Sequence, residues 1–523
     1  MKKLSNIKLA IGEDEAKIKY CCAKKERVSV NDLKAFKITK KSLDARDKND
    51  IFYVYTAEYS LENEKPIKKE YPKAKATVAV IGGGPCGLFC ALYLARCGMT
   101  PVLFERGENV ENRARTCDDF IKTRTLDVNS NLQFGEGGAG AFSDGKLNTQ
   151  VNNERVKAVV EDFVLFGAPE ETAYLSHPHV GSDKLPEVVK NIRNEIIRLG
   201  GKVKFNCKFT KPYITNGELK GIFYEERGKN GYSSEANFGV NDEKYFACDA
   251  CVLAVGHSAR DSFKTLNNLG AAMEPKPFAV GFRIEHLQSK IGFSQYGKQY
   301  LKLPAAEYKL VSHAGARDVF TFCMCPGGQV MAAASGQGRL VVNGMSRYAR
   351  DGVNANSALV CAVTPADYDG TDPLSGVRFQ IALEKKAYAF GGENWKAPVQ
   401  KLGDFMKNKN SSSLGEVLPT YPLGTAFAPL HEFFKSEITE SLKAAVCDMD
   451  KRLKGFASSD AVFTGVESRT SSPLRILRDE KGECVNVKNL YPAGEGAGYA
   501  GGITSAAADG IKIAMLLAQK FAK

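Results

Sequence analysis

The stretch that decides the fold runs from Val78 to Gly107 and reads VAVIGGGPCGLFCALYLARCGMTPVLFERG. Gly82, Gly84 and Gly87 form a GxGxxG pattern between an apolar run, typical of a parallel strand buried on both faces, and a helix predicted from Pro85 to Cys97. The first glycine permits the tight turn, the second lets a pyrophosphate approach the backbone, and the third allows close helix–sheet packing. The pattern predicts a dinucleotide-binding unit, with phosphates at the helix N-terminus.

A second apolar strand, PVLFE, ends at Glu105, 23 residues after Gly82. An acid near this offset binds the ribose hydroxyls of a dinucleotide, so Glu105 is the candidate for that contact. Arg106 and Arg113 follow the strand and are candidates to neutralise a pyrophosphate, as is Arg115. A solvated helix face explains the same arginines equally well.

Later segments favour FAD over NAD, since both cofactors use such a unit. Residues 249–256, DACVLAVG, predict a buried strand that ends at Gly256, and the stretch 202–246 predicts a β-meander before it. Residues 489–521, NLYPAGEGAGYAGGITSAAADGIKIAMLLAQKF, predict another strand, glycine loop and helix.

The terminal block is similar to the second part of the FAD site in the glutathione-reductase-like flavoprotein superfamily. In that superfamily an acid after the last strand binds the ribityl chain, and the following helix points its N-terminus at the flavin ring. The resemblance therefore implies that Glu495 holds the ribityl chain, although much of the superfamily has Asp there. It also implies flavin contacts for Gly494, Gly501, Gly502 and Ile503.

A closer resemblance, covering nearly the whole chain, is to the bacterial FAD-dependent dehydrogenases described as NAD(FAD)-utilising dehydrogenases. It implies FAD-dependent oxidoreduction and names no substrate. The blocks that carry it are KKSLDAR (40–46), NLQFGEGGAGAFSDGKL (131–147), CMCPGGQV (323–330), NGMSRYARDGVNANSAL (343–359), GVESRTSSPLRI (465–476) and GEGAGYAGG (494–502).

The second of these blocks has five glycines between Phe134 and Gly145, together with Ser143 and Asp144. Such a composition suits backbone that passes close to a flat ligand. Gly138 and Ser143 are therefore candidates for FAD contacts, with a glycine-rich surface loop as the alternative.

Two cysteine pairs invite a redox interpretation. Cys323 and Cys325 are two apart on a predicted strand, which places both thiols on one face, where they are candidates to exchange electrons with flavin. Buried core thiols are the favoured interpretation, because an extended pair at this spacing lies near the upper Cα separation for a disulfide. Cys248 and Cys251 are three apart on a predicted strand, so we expect their side chains on opposite faces of it.

His177 and His179 precede a helix predicted from about Asp183, and His179 fits the family pattern better. A general-acid role is one interpretation, and capping or backbone hydrogen bonding is the commoner one. Polar side chains in two later blocks are candidates either to line a substrate cavity, where arginine suits a carboxylate or phosphate, or to form interdomain hydrogen bonds. These are Arg347, Arg350, Asn354, Asn356, Arg469, Ser471 and Ser472.

The composition is that of an ordinary folded protein. Among 523 residues, 43% are hydrophobic and 25% charged, with no apolar run long enough to span a membrane. Fourteen cysteines without a secretion signal suit reduced thiols and a cytoplasmic location, and with six histidines they do not form zinc-ligand spacings, so no metal site is expected. Much of the net charge of +12 is N-terminal, since residues 1–75 hold 19 Lys and Arg against 12 Asp and Glu.

We expect an α/β fold with a discontinuous Rossmann-type FAD-binding domain and an inserted α+β domain. The expected divisions are a small basic βαββ domain (1–61), a linker (62–75), the first part of the FAD domain (76–275), a substrate or cap domain (276–460), and the second part of the FAD domain (461–523).

The predicted function is FAD-dependent oxidoreduction of an unidentified small molecule, with NADH or NADPH as a candidate transient electron donor. No second GxGxxG unit is evident for a separate NAD(P)H domain, and the sequence assigns no catalytic residue. The basic N-terminus motivates one alternative, an RNA-binding or tRNA-modifying flavoprotein, and a non-catalytic FAD-binding protein is another. Membrane insertion is not expected, and oligomeric state stays open.

Overall fold

A computed structural model describes residues 1–63, 69–149, 153–228 and 242–522. The linker expected at 62–75 and the β-rich stretch 202–246 therefore lie partly outside the described residues. Among the described helices, none is both long and apolar enough to cross a membrane.

The N-terminal module has the predicted succession of strand, helix and two strands. Its strands are antiparallel in the order β1-β3-β2, and Tyr55 and Tyr59 of the central strand pack with Ile18 and Cys22 of the helix in one small core. The elements are β1 (Lys2–Ala10), α1 (Ala16–Glu26), β2 (Ala35–Asp44) and β3 (Phe52–Ser60).

The following segment supplies most of the nucleotide-binding layer. Its elements are β4 (Thr77–Ile81), α2 (Pro85–Arg96), β5 (Thr100–Phe104), α3 (Val110–Thr123), α4 (Glu154–Leu165), α5 (Leu185–Arg198), β6 (Lys202–Lys204), β7 (Cys207–Thr215), β8 (Glu218–Glu226), β9 (Lys244–Ala247), β10 (Ala250–Leu253) and α6 (Arg260–Asn268).

The remainder of the chain builds the second large sheet and then returns to the first. Its elements are β11 (Met273–Pro275), β12 (Phe278–Leu287), α7 (Gln288–Tyr296), β13 (Val311–Ser312), β14 (Val319–Cys325), β15 (Gln329–Ala332), β16 (Val342–Met345), β17 (Asn354–Val363), α8 (Ser375–Phe390), β18 (Ala397–Lys401), α9 (Leu402–Met406), β19 (Thr425–Phe427), α10 (Ser436–Arg452), β20 (Val462–Glu467), β21 (Leu474–Ile476), β22 (Leu490–Pro492) and α11 (Ile503–Lys520).

A five-stranded parallel sheet in the order β22-β10-β4-β5-β6 forms the centre of the nucleotide-binding layer. One face of this sheet packs on α2, α4, α5 and α11, and the other packs on β7, β8 and α6. Its middle strands are continuous apolar runs because they are buried on both faces. Residues 78–81 of β4 are all buried. β7, β8 and β9 form the predicted antiparallel meander beside it.

A seven-stranded sheet in the order β13-β14-β17-β12-β20-β18-β19 forms the other large layer. Nine of the ten residues of β12 are buried, and Phe282 of that strand lies among four phenylalanine rings. β20 belongs to this sheet, because it pairs with β12 and β18. The sequence placed the return to the FAD domain at residue 461, which is too early for this strand.

Cys248 departs from its predicted position. It lies in the turn between β9 and β10, whereas Cys251 is buried within β10. The prediction placed both cysteines on one strand. The intervening Asp249 instead accepts a hydrogen bond from the backbone N–H of Thr77 and lies in the turn between β9 and β10.

Candidate cofactor site

Two glycines of the GxGxxG loop, Gly82 and Gly87, are packed tightly against backbone, whereas the middle one, Gly84, borders open space. Gly82 has φ +104°, and a Cβ atom built there would lie 2.3 Å from the Ala254 carbonyl oxygen. A Cβ on Gly87 would lie 1.9 Å from the Gly82 carbonyl oxygen, so the helix packs on backbone there. At Gly84, just before α2, the nearest atom is 3.8 Å away, on Gly138. The open space therefore lies in front of the α2 N-terminus.

The C-terminal loop repeats this pattern. Gly494 has φ +72°, with Cys86 2.8 Å from its Cβ position, and a Cβ on Gly496 would lie 2.4 Å from the carbonyl oxygen of Gly256. Gly256 itself, Gly501 and Gly502 have no atom within 4 Å of their Cβ positions among the described residues. The second open space adjoins the N-terminus of α11, which begins at Ile503.

The glycine-rich segment 134–147 connects the two open spaces. A Cβ on Gly138 would lie 3.1 Å from the Gly84 Cα and 3.6 Å from Pro85, while one on Gly140 would lie 3.0 Å from Ile503. Ser143 closes this segment: its hydroxyl donates to the Gly140 carbonyl at 2.8 Å and accepts from the Gly145 N–H.

Glu105 organises the first loop from its position just after β5. Its buried carboxylate accepts hydrogen bonds from the backbone N–H groups of Gly83 at 2.6 Å and of Gly107 and Gly135 at 2.9 Å each. A carboxylate offers about four lone-pair sites, so it has capacity for one further donor.

The arginines are placed differently from the prediction. Arg106 donates to Asp261 at 2.8 Å and lies over the Phe134 ring, while Arg115 is exposed. Arg113 is fully buried and donates to the carbonyls of Asn131, Gly135 and Glu136. Burial lowers the pKa of Arg113, and within the described chain its Nη2 atom has no partner.

Arg113 therefore packs against the backbone of the glycine-rich segment and stabilises it, since a Cβ on Gly135 would lie 2.3 Å from the arginine Cδ. Neither Arg106 nor Arg113 is a free cation facing the loop. The sequence did not predict this role for Arg113, because its carbonyl partners belong to residues 131–136 and no motif near the arginine indicates that contact.

Glu495 lies on the C-terminal loop with its side chain 24% exposed, and its carboxylate is 3.6 Å from His257 Nδ1. Burial raises the pKa of Glu495 to about 7, against the opposing charge of Lys276. Burial also lowers the pKa of His257 to about 3, and its Nε2 atom has no partner among the described residues. The pair presents an imidazole that stays neutral at physiological pH beside a carboxyl group that titrates near it.

A network of charged side chains extends from Asp144 and Lys146 of the glycine-rich segment. Asp144 accepts from Arg350 at 2.7 and 3.1 Å and from Lys146 at 2.6 Å, and Arg350 also bonds Glu307. His177 completes it, 3.4 Å from Glu307 and 69% exposed at its side chain. Hydrogen bonding to Glu307 raises the pKa of His177, and despite burial the pKa of Glu307 is held to about 2.

Several other predicted polar residues have structural roles. His179 Nε2 lies 3.1 Å from the Tyr348 carbonyl oxygen, so the backbone hydrogen-bonding interpretation is confirmed. Arg347 pairs with Asp351 at the surface, and Asn354 donates to Glu285 and to a backbone carbonyl. Asn356 is fully buried, without a side-chain partner in the described part of the chain.

Arg469 joins the two large layers. Arg469 forms a bidentate pair with the fully buried Glu384 and donates to the hydroxyl groups of Ser258 and Ser335. Arg260 also donates to Glu384, at 2.6 and 2.8 Å. This patch is therefore an interdomain hydrogen-bond network rather than a cavity wall. Ser472 donates to the Gly496 carbonyl and extends it, while neighbouring Ser471 is half-buried.

Sequence reasoning missed Lys146, Glu307, His257 and Glu384. GHSAR after a predicted strand was a signal for His257, whereas the other three carry no motif. No group of three potential metal-ligating side chains occurs within the described ranges.

Family models match three segments of the chain. Residues 76–271 match the family model for pyridine nucleotide-disulphide oxidoreductases, and residues 277–470 match FAD-dependent protein, C-terminal domain-like. Residues 1–60 match a domain of unknown function, DUF8436.

Solved structures give lower similarity. A Thermoplasma acidophilum geranylgeranyl bacteriochlorophyll reductase-like protein is 12% identical, with 86% of this chain and 79% of that chain covered and a TM-score of 0.35. A Cytophaga hutchinsonii flavoprotein/dehydrogenase is 11% identical, with 85% and 77% covered and a TM-score of 0.35. Thermovibrio ammonificans THI4 is 20% identical, with a TM-score of 0.25; the match covers 38% of this chain and 64% of that one.

The two family matches define the class: an FAD-dependent oxidoreductase flavoprotein with a Rossmann-type fold. The chain belongs to the same family as an uncharacterized Clostridium beijerinckii protein, to which it is 45% identical over 99% of both chains. FAD is thus the cofactor, as predicted. The glycine loops fit it, because Gly84 leaves open space at the N-terminal end of α2, and Gly501 and Gly502 leave open space at that of α11.

Proposed function

We propose that the protein transfers a hydride to or from a small-molecule substrate through FAD bound across its two glycine loops. The observation that carries this proposal is the selective packing of the glycines. Gly82, Gly87 and Gly496 are packed against backbone atoms, whereas Gly84, Gly256, Gly501 and Gly502 border open space. Bound flavin would supply the two-electron chemistry.

The first loop would hold the adenosine and pyrophosphate end. Free N–H groups at the N-terminus of α2 favour anions, and Gly84 gives phosphate oxygens access to them. Glu105, which accepts three backbone N–H groups, would accept a ribose hydroxyl with its remaining lone pair.

The second loop would hold the ribityl chain and ring. Glu495 would accept a ribityl hydroxyl, and Gly501, Gly502 and Ile503 would border the pyrimidine end of the ring. The N-terminus of α11 then stabilises negative charge at that end. Gly138 and Ser143 shape the segment between the two loops.

The substrate would enter beside the charged network of Asp144, Lys146, Arg350, Glu307 and His177. Every cation in it is paired, which argues for a polar substrate that exchanges hydrogen bonds rather than one that neutralises a bare charge. The exposed imidazole of His177 is the group there best placed to move a proton.

The test is an anaerobic visible spectrum of the purified protein during addition of NADH and then NADPH. A bound flavin that one nucleotide bleaches would establish a reductive half-reaction with that donor. A colourless preparation that FAD does not reconstitute would overturn the proposal.

The family matches do not favour the RNA-binding alternative. Binding of RNA at low salt, weakening steeply as salt is added, would be the observation that supports that alternative.

A further inference from the structure

We propose that the N-terminal module is part of the active site, and that Lys41 is a positioning residue whose backbone holds the segment that carries His177. The inference rests on the proposed function, which places His177 beside the substrate. It goes beyond that function because it gives a role to residues 1–60, which match a domain of unknown function.

The module joins the rest of the protein along the outer edge of β2. The Lys41 N–H donates to the Tyr174 carbonyl at 2.7 Å, and the Ser176 N–H donates to the Lys41 carbonyl at 2.9 Å. These two bonds form a parallel bridge between Lys41 and Leu175. Since β2 is an edge strand of the three-stranded sheet, residues 174–176 extend that sheet on its outer side.

Lys41 is itself fixed within the module. Its ammonium group lies 2.6 Å from the Glu15 carboxylate, and the Tyr55 hydroxyl donates to the same carboxylate at 2.9 Å. Tyr55 is opposite Lys41 on the central strand and is buried in the core of the module. Because its side chain is bound inside the module, Lys41 presents a fixed backbone edge to residues 174–176.

The chain continues from residues 174–176 directly into contact with the glycine-rich segment. The Leu147 N–H donates to the Pro178 carbonyl at 2.9 Å, and the Leu147 carbonyl accepts from the Thr504 hydroxyl at the start of α11, also at 2.9 Å. His177 therefore lies between two backbone contacts, one with the module and one with the segment that borders the cofactor loops.

The module also contacts the element that holds the partner of His177. The Cβ position of Gly297, just after α7, is 3.6 Å from the Cβ atom of Lys48 in the module. Gln295 of α7 donates to the Glu307 carbonyl at 3.1 Å, and the Glu307 carboxylate lies 3.4 Å from His177 Nδ1. Both members of this pair are thus held by segments that touch the module.

The position of His177 depends on its backbone, since 69% of its side chain is exposed and little packing surrounds it. An exposed segment keeps one conformation only while its backbone hydrogen bonds hold it. If the bond from Lys41 is removed, the segment is held on one side only, and the imidazole spends less time beside Glu307.

The first test compares Lys41→Pro with Lys41→Ala in the holoprotein. Both variants lack the ammonium group, whereas only proline also lacks the N–H that bonds Tyr174. The module should still fold with proline there, because this N–H faces away from β3 and proline is tolerated on the edge of a sheet.

The readout is the pKa of His177, measured by NMR with isotope-labelled histidine. The chain has six histidines, and the His177 signal is the one that disappears in His177→Gln. Hydrogen bonding to Glu307 raises the pKa of His177, so we expect a lower pKa in Lys41→Pro than in Lys41→Ala. Arg350 and Lys146, the other charged groups that act on His177, are present in both variants.

Leu43→Pro is the control for the proline itself. Leu43 lies two residues along β2, so by the alternation of an antiparallel ladder its N–H is on the same outer edge, past the bridge to residues 174–176. This variant should keep the wild-type pKa of His177. The visible spectrum of each variant should show bound flavin, which separates a change in position from loss of the cofactor.

A second test uses wild-type holoprotein alone. The amide hydrogens of Lys41 and Ser176 should exchange slowly with solvent deuterium, because each donates across the bridge. Mass spectrometry of peptides that contain these two residues measures the rates. Exchange as fast as in an unfolded chain would overturn the proposal, whether or not the proline variant folds.

An equal pKa of His177 in Lys41→Pro and Lys41→Ala, with flavin bound to both, would also overturn the positioning role and leave the proposed function standing. Absence of flavin from the wild type, even after reconstitution, would overturn the proposed function. In that event hydrogen exchange would still decide whether the module holds residues 174–176.

Discussion

A Cβ atom on Gly510 would lie 2.2 Å from the carbonyl oxygen of Cys86, so helices α11 and α2 cross in backbone contact. Side chains hold most packed helices about 8–10 Å apart, and a glycine at the crossing removes that spacer. Cys86 lies in the first turn of α2 and Gly510 near the middle of α11. The first residues of the two helices, Pro85 and Ile503, both lie within 4 Å of the Cβ position of Gly140. Both helix dipoles can therefore act on one bound dinucleotide.

Gly510→Leu should destabilise the protein by about 1–3 kcal/mol or more, because the obstructing atom is backbone and cannot rotate away. The free energy of unfolding of the apoprotein, from denaturant titration, is the measurement. Gly501→Leu is the control, since its Cβ position is open to 4 Å, and should stay within about 0.5 kcal/mol of wild type. Equal stability of the two variants would contradict the crossing.

The first glycine loop offers a second contrast. Gly84→Leu should yield a folded protein without flavin, because its Cβ has room in the apoprotein but fills the space that phosphate needs. Gly87→Leu should fail at folding instead, since its Cβ would lie 1.9 Å from the Gly82 carbonyl oxygen. Flavin absorbance per protein and far-ultraviolet circular dichroism separate the two outcomes. Full flavin occupancy in Gly84→Leu would refute the placement of the pyrophosphate.

The local part of this architecture could be predicted from sequence. The run from Thr77, the glycines that follow and the turn to Glu105 are determined by residues a few positions apart, so their pattern predicts a strand, loop and helix. The same holds for the terminal strand and α11.

Long-range partners could not be predicted. The carbonyl partners of Arg113 and the pairing of Glu384 with Arg260 and Arg469 depend on segments that meet only in the folded protein. The boundary drawn at residue 461 put the segment of β20 in the FAD domain for a related reason, because its pairing with β12 and β18 is formed only in the folded protein. The left-handed backbone at Cys323, with φ +44°, could not be predicted either, since the spacing of the two cysteines does not determine φ.

The buried charge triad of Glu384, Arg260 and Arg469 gives a third prediction. Glu384→Gln should cost about 3–5 kcal/mol of stability, because it leaves two largely buried guanidinium groups beside a neutral amide. Asp351→Asn is the matched control, since it removes a carboxylate from the exposed pair with Arg347 and should cost about 0–1 kcal/mol. Denaturant unfolding of both variants measures the difference, and similar costs would show that the triad does not join the two layers.

Glu495 gives a prediction for pH. Burial raises its pKa from 4.5 to about 7 in the folded protein, so the folded state retains a proton that the unfolded chain releases. The stability this proton contributes is fully present below pH 4.5 and is lost as the pH rises through about 7. Lys276, His257 and Cys323 are the titratable groups that face the carboxyl group, and each is retained in Glu495→Gln.

The side chain in Glu495→Gln is neutral at every pH. The free energy of unfolding of the variant apoprotein should therefore rise above that of wild type by about 1–3 kcal/mol between pH 4.5 and 8, and the two should be equal at the acidic end. Denaturant unfolding at several pH values measures the gain. Glu187→Gln, which removes a carboxylate from a side chain 65% exposed, is the surface control measured at the same pH values. A flat difference for Glu495→Gln would mean that the carboxyl group is hydrated in the folded protein and has an ordinary pKa.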